Sequence, residues 1–195
     1  MPHSGPKPED GALIERARHG DHEAYAALVR SHQDVVFRTA YLITRSAADA
    51  EDVTQEAFIK AYRAMSRFRE GAPFRPWILR IATNEARNRR RAIGRRLEVS
   101  ADAPVELDGG LAAPREPADP DATPEELALA GERREVMLTA LGRLDEDDRL
   151  VIAYRYFFDL SEAEMAEALD VPRGTVKSRL SRAMARLRER FPVAG

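Results

Sequence analysis

The chain of 195 residues contains no cysteine, which excludes disulfides, zinc ribbons and thiol catalysis. It has no apolar run approaching the ~20 residues of a membrane span. Its first residues carry Pro2, Pro6 and Pro8 among polar neighbours and do not read as a signal peptide, so a cytoplasmic location is expected. Alternation of period two persists nowhere, which argues against strands. No phosphate-binding glycine loop and no nucleophile constellation is present, so no catalytic residue, cofactor or small-molecule substrate is expected. The run Asp145-Glu146-Asp147-Asp148 suggests a metal site, but consecutive acids between helices read better as a solvated helix cap. His19, His22 and distant His32 do not make a three-ligand zinc site.

What is present is helical periodicity and segregated charge. Hydrophobic residues make up 44% of the chain, enough for real cores. Ala12 to His19 predicts a short helix ended by Gly20. Asp21 caps a second, with Tyr25, Leu28, Val29, Val36, Phe37, Ala40 and Tyr41 on its apolar stripe. A third begins near Ser46 with Val53, Ala57, Phe58, Ala61, Tyr62 and Met65 on one side. Its other side holds Asp49, Asp52, Gln55, Glu56, Lys60 and an exposed-looking Ile59. Gly71, Pro73 and Pro76 predict a loop before a helix from Trp77 to Arg91. Residues 97–124, rich in Ala, Pro, Gly and Asp, read as a flexible acidic linker. The fold expected is therefore all-α: a disordered tail (1–11), two small helical domains (12–96 and 125–191) and the linker between them. Val136, Leu138, Leu141, Leu144, Leu150, Ile152 and Phe157 supply apolar positions of the second domain.

Net charge is only -2, but residues 66–98 carry +7 and 171–195 carry +6, while 99–135 carry -7 and 136–170 carry -6. Two basic blocks separated by acidic ones imply two patches facing nucleic acid. The C-terminal block lies in a helix-turn-helix pattern from Leu160 to Leu180. Ser161 and Glu164 form a capping box, Leu160 and Met165 a hydrophobic staple, and Pro172 suits the first turn of the next helix. There Val176, Leu180, Ala183, Met184 and Leu187 predict the buried side. Arg173, Thr175, Lys177, Ser178, Ser181 and Arg182 predict a face able to bond base edges and phosphates. In the other block Arg80, Asn84, Arg87, Asn88 and Arg91 form a stripe. Phe74 and Trp77 beside it fit either a core or the stacking of unpaired bases.

Three stretches carry a resemblance: Asp49-Ala50-Glu51-Asp52-Val53-Thr54-Gln55-Glu56-Ala57-Phe58, Phe74 through Asn84, and Gly174 through Leu180 with Arg182-Ala183. Their order and spacing resemble the group-four, or extracytoplasmic-function, sigma factors of bacterial RNA polymerase, over about residues 23–96 and 125–190. The resemblance implies a transcription initiation subunit whose partners are core RNA polymerase, promoter DNA and an anti-sigma factor, often membrane-anchored. It places Asp49, Asp52, Gln55 and Glu56 on the polymerase-docking surface. Phe68 through Arg75 fall in the loop that captures a flipped base of the minus-ten element, with Trp77, Arg80, Asn84, Arg87, Asn88 and Arg91 along the adjoining helix. Arg173, Thr175, Lys177, Ser178, Ser181 and Arg182 would read the minus-thirty-five element, with Arg155 on a phosphate. Asp170 stands where the family usually has Gly, so a strained or altered turn is expected. The alternative is a dimeric helix-turn-helix repressor or activator, which leaves the Trp/Asn/Arg block and the acidic face unexplained.

Overall fold

The computed structural model describes residues 8–99 and 144–190, all of whose regular elements are helical. Helix α1 spans Pro8–Arg18, α2 His22–Thr44, α3 Ala47–Ala64 and α4 Phe74–Val99, with a 3-10 turn at Met65–Arg67 after α3. Beyond residue 143 follow α5 (Glu146–Tyr156), α6 (Glu162–Leu169) and α7 (Arg173–Arg190).

Local chemistry sets most of these boundaries. Asp21, Ser46, Asp145 and Ser161 cap α2, α3, α5 and α6, each accepting from a backbone N–H three residues on, which satisfies donors the helix cannot. Gly20, at φ +91°, breaks the chain between α1 and α2. Two boundaries differ from expectation. Helix α1 starts at Pro8 rather than Ala12, because proline fits a first helical position and Asp10 is buried, bonding the His32 imidazole at 3.0 Å. Residues 8–11 are thus not tail. Helix α4 starts at Phe74, three residues before the expected Trp77, and continues to Val99, past the expected linker start at 97. Pro76 lies in its first turn, where a missing N–H costs nothing. The rest of the linker and Val136, Leu138 and Leu141 lie outside the described residues.

Helices α2, α3 and α4 pack around Leu28, Val36, Ala40, Ala57, Ala61, Phe74, Ile78, Leu79 and Ala82, all at most 1% exposed. Burying each large side chain contributes about 1.5–3 kcal/mol. The Tyr25 phenol donates to the Phe58 carbonyl at 2.6 Å and ties α2 to α3, and burial raises its pKa. In the C-terminal unit Leu150, Leu160, Met165, Val176 and Ala183 are fully buried, whereas Phe157 is 39% exposed and Phe158 takes its core place. The staple and capping box form as expected: Ser161 N–H donates to Glu164 Oε2 at 2.8 Å, and Glu164 N–H to Ser161 Oγ at 3.3 Å.

The turn between α6 and α7 keeps its shape despite Asp170, which adopts the left-handed conformation at φ 55°. Its N–H bonds the carbonyls of Ala166 and Glu167. Pro172 is the residue before α7 rather than within it, and its carbonyl accepts from Thr175 N–H at 2.9 Å. Aspartate reaches this conformation at a cost that glycine avoids, so Asp170→Gly should stabilise the protein by up to about 1 kcal/mol. A urea melt reads the gain; an unchanged or lowered midpoint contradicts strain at this turn.

Candidate nucleic-acid interface

Helix α7 buries Val176 and Ala183, with Leu180, Met184 and Leu187 packed beside them. The apolar positions recur every three or four residues, so the intervening ones must face outward. Arg173, Lys177, Ser178, Ser181 and Arg182 are exposed and Thr175 is half-buried. No acidic residue interrupts α7 before Glu189. Ser178 Oγ donates to Thr175 O at 3.0 Å and Arg182 Nε to Ser178 O at 3.2 Å. This outward face is thus organised along its own helix, with its cations exposed. Arg155 is half-buried, and its Nη1 reaches the Leu160 carbonyl at 3.2 Å, closing the loop ahead of α6.

Helix α4 divides similarly. Phe74, Ile78, Leu79, Ala82, Thr83 and Ala86 are buried, while Asn84, Asn88 and Arg91 are exposed and Arg80 is half-buried. Arg91 donates to Asn88 Oδ1 at 2.7 Å. Phe68 departs from its expected position in an open loop. It is 5% exposed, with its ring 4.6 Å from Trp77 and 6.1 Å from Phe74. Phe74 is likewise core, and Trp77 is half-buried against that core. Beside Trp77 a cavity is lined by Arg67, Phe68, Arg69, Ala72 and Arg80, with Glu167 of α6 contributing to its wall. A flat ring and three guanidinium groups around one opening suit a base and its phosphates.

The polar side of α3 is not one uniform acidic face. Arg89 of α4 binds Asp49 and Asp52, both at 2.7 Å, and Lys60 bridges Glu56 and Glu85. Glu51, Asp52, Gln55 and Ile59 are exposed. Toward α2, Glu51, Gln55 and Ile59 border a groove of about 810 Å³, also lined by Val29, Phe37, Phe58 and Tyr62. Tyr62, expected in the core, is 39% exposed, and its hydroxyl meets His22 Nδ1 at 2.9 Å. The outward Ile59 was the sequence signal of this groove.

Helices α4, α5 and α6 also meet. Tyr154 of α5 is fully buried, its hydroxyl 2.9 Å from Thr83 Oγ1 of α4. Burial pushes its pKa up to about 12, so it stays a neutral hydrogen-bonding group. Arg87 reaches across to Glu146 at 2.8 Å and Asp147 at 2.9 Å, and Arg90 also pairs with Glu146. From the other side Arg179 binds Asp147 at 2.9 Å, while Arg186 binds Asp145 at 3.0 Å and Asp148. The acidic run therefore is not a solvated cap. Asp145 does cap α5, but the four carboxylates together hold arginines of two other helices. Arg75 is half-buried, and desolvation lowers its pKa against the opposing pull of Glu164 and Asp159. Arg149 is 4% exposed, and its Nε and Nη1 have no hydrogen-bond partner. Desolvation and the nearby Arg45 pull its pKa down to about 10, which leaves it charged at neutral pH.

Among the described residues no helix is long and apolar enough to cross a membrane. Residues 28–96 match the family model of sigma-70 region 2, and residues 134–187 match that of sigma-70 region 4. The ECF RNA polymerase sigma-E factor of Escherichia coli (strain K12) is 40% identical over 179 residues, covering 89% of this chain and 90% of that protein. The sigma-E factor of Haemophilus influenzae is 39% identical over the same length and coverage. The fold is shared with the Bartonella quintana sigma factor RpoE, solved with the anti-sigma factor NepR (TM-score 0.68, 23% identity, 89% of this chain and 99% of that one). It is also shared with CnrH, solved with the cytosolic domain of CnrY (TM-score 0.66, 23% identity, 96% and 99%). These matches span both basic blocks and the helices that carry them: the chain belongs to the extracytoplasmic-function sigma factors of RNA polymerase.

Proposed function

We propose that this sigma factor docks on core RNA polymerase through α3 and reads two promoter elements with two helices. The carboxylates of Asp49, Asp52 and Glu56, with Gln55, meet a basic polymerase surface, and Ile59 and Tyr62 extend the contact into the apolar groove. Charge pairing then selects and orients the partner while the groove supplies buried area. Along α4, Arg80, Asn84, Asn88 and Arg91 contact the opened minus-ten element, and the cavity beside Trp77 takes an unpaired base. Phe68 acts there as the packed support of Trp77 rather than as a stacking surface. Arg87 joins the DNA contacts only once it leaves Glu146 and Asp147. Helix α7 enters the major groove at the minus-thirty-five element with Arg173, Thr175, Lys177, Ser178, Ser181 and Arg182, and Arg155 approaches a phosphate.

The observation that carries this reading is the outward face of α7, where exposed cations and hydroxyls stand on a helix held from behind by an apolar stripe. On this reading the protein works in the cytoplasm and carries no catalysis of its own; bond formation belongs to the polymerase. Two proteins of the same fold were solved with NepR and with the cytosolic domain of CnrY, and an anti-sigma polypeptide, free or membrane-anchored, is the regulatory partner proposed here too.

Lys177→Ala and Arg182→Ala should each cost about 1–3 kcal/mol in discrimination between the cognate and a scrambled minus-thirty-five element. Competition transcription assays with core polymerase read this directly. Unchanged preference in both variants would remove α7 from promoter reading.

A further inference from the structure

Helix α1 carries none of the proposed DNA contacts, yet two lines of contact run from it to the cavity beside Trp77. The first is buried. His32 Nε2 of α2 lies 3.0 Å from Asp10 Oδ2 of α1, and both side chains are less than a tenth exposed. The His32 ring lies 5.2 Å from that of Phe74, which lies 5.6 Å from Trp77 and 6.1 Å from Phe68. Trp77 and Phe68 both line the cavity. The second line runs at the surface. Helix α1 packs against the 3-10 turn that leads into Phe68. Arg18 Nη1 reaches Glu70 at 3.9 Å, within the turn closed by Ala72 N–H on the Arg69 carbonyl.

We infer that Asp10 and His32 are positioning residues for base capture: without touching DNA, their bond sets the register of α1 on α2 and so holds the aromatic wall of the cavity in place. The inference rests on the reading of that cavity as the site of an unpaired base.

Stability alone does not call for such a pair. Well-packed apolar side chains of similar size are often as stable, because desolvation offsets the attraction between buried polar partners. What they lack is direction. Ile14 and Ala17 anchor α1 by apolar burial, which tolerates sliding, whereas a hydrogen bond weakens steeply with misalignment. Asp10 lies one turn before Ile14, so its bond fixes both where α1 sits along α2 and how the imidazole faces Phe74. Aromatic pairs also prefer particular orientations, so a displaced His32 ring displaces Phe74 and, with it, Trp77. Arg75, next to Phe74 in the first turn of α4, is drawn to Asp10 as well. A stacking surface moved by about 1 Å forfeits much of its contact. The outer line is weaker: Glu70 is 83% exposed, and water screens so open a pair. It steers the loop, while the buried line holds the wall.

Trp77 is the only tryptophan of the chain, so its emission in the full-length protein reports the wall directly. Asp10→Leu with His32→Met exchanges the bonded pair for an apolar one. The urea midpoint should hold, and acrylamide should quench Trp77 more. With core polymerase, transcription from an active duplex promoter should fall about tenfold, the order of one lost base–aromatic stack, but less than about threefold when the same promoter is mismatched across the minus-ten element. His32→Gln keeps an N–H for Asp10 and should stay within about twofold of wild type on the duplex. Unchanged quenching, an equal loss on both templates, a lowered midpoint, or a loss in His32→Gln as large as in the double variant overturns the positioning role and leaves the cavity reading standing. More quenching with undiminished duplex transcription also overturns it; if Trp77→Ala is equally indifferent, the failure lies with the cavity reading.

Discussion

Reversing Asp52 and Glu56 to Lys should abolish association with core RNA polymerase, a loss of more than about 100-fold in affinity, while the helical fold persists. Like charges brought face to face across an interface cost several kcal/mol, and about 2.7 kcal/mol already corresponds to 100-fold. Asp52 is 59% exposed in its pair with Arg89, and Glu56 is 47% exposed in its pair with Lys60. Losing such pairs costs at most about 1 kcal/mol of stability each, so an effect on binding and an effect on folding are separable. Co-purification with polymerase checks the first, and circular dichroism the second. Wild-type recovery of the variant with polymerase would contradict docking through α3.

The largest effect on stability is expected from Phe74→Ala. Phe74 is 1% exposed and its ring lies 5.2 Å from His32, 6.1 Å from Phe68 and 5.6 Å from Trp77. It therefore joins the start of α4 to α2 and to the loop before it. Truncation leaves a cavity that rigid neighbours cannot close, at a cost of about 3–5 kcal/mol. Urea unfolding should show the midpoint falling with little change in slope. A loss below about 1 kcal/mol would mean that this aromatic cluster is not the packed centre of the N-terminal unit.

Whatever depended on neighbouring residues was legible in the sequence. Asp21, Ser46 and Ser161 announce helix starts because a cap acts over three residues. Val176 and Ala183 announce the buried side of α7 because helical period alone fixes it. The outward cations of the helix-turn-helix follow from the same period. What required distant partners was not legible. Nothing near Asp145–Asp148 shows that arginines 38 to 60 positions away converge on them, so a local reading assigns them to water. Asp49 and Asp52 read as unopposed acids because Arg89, their partner, lies on another helix. Phe68 follows a short 3-10 turn where no periodicity exists, and its burial depends on Phe74 and Trp77 folding over it. Asp170 kept the left-handed turn expected of glycine because a short polar side chain tolerates that conformation better than most.

The division of labour between the two units gives the account its meaning. The face of α7 alone would suit any helix-turn-helix protein. On the function proposed above it becomes half of a promoter reader through α3 and α4, which a self-sufficient duplex binder does not need. Run-off transcription with purified core polymerase on a promoter library tests this most directly. The account predicts that adding the protein to core selects a subset of templates sharing two spaced elements, and that Lys177→Ala with Arg182→Ala loses that selection. Transcription no different from core alone would contradict it.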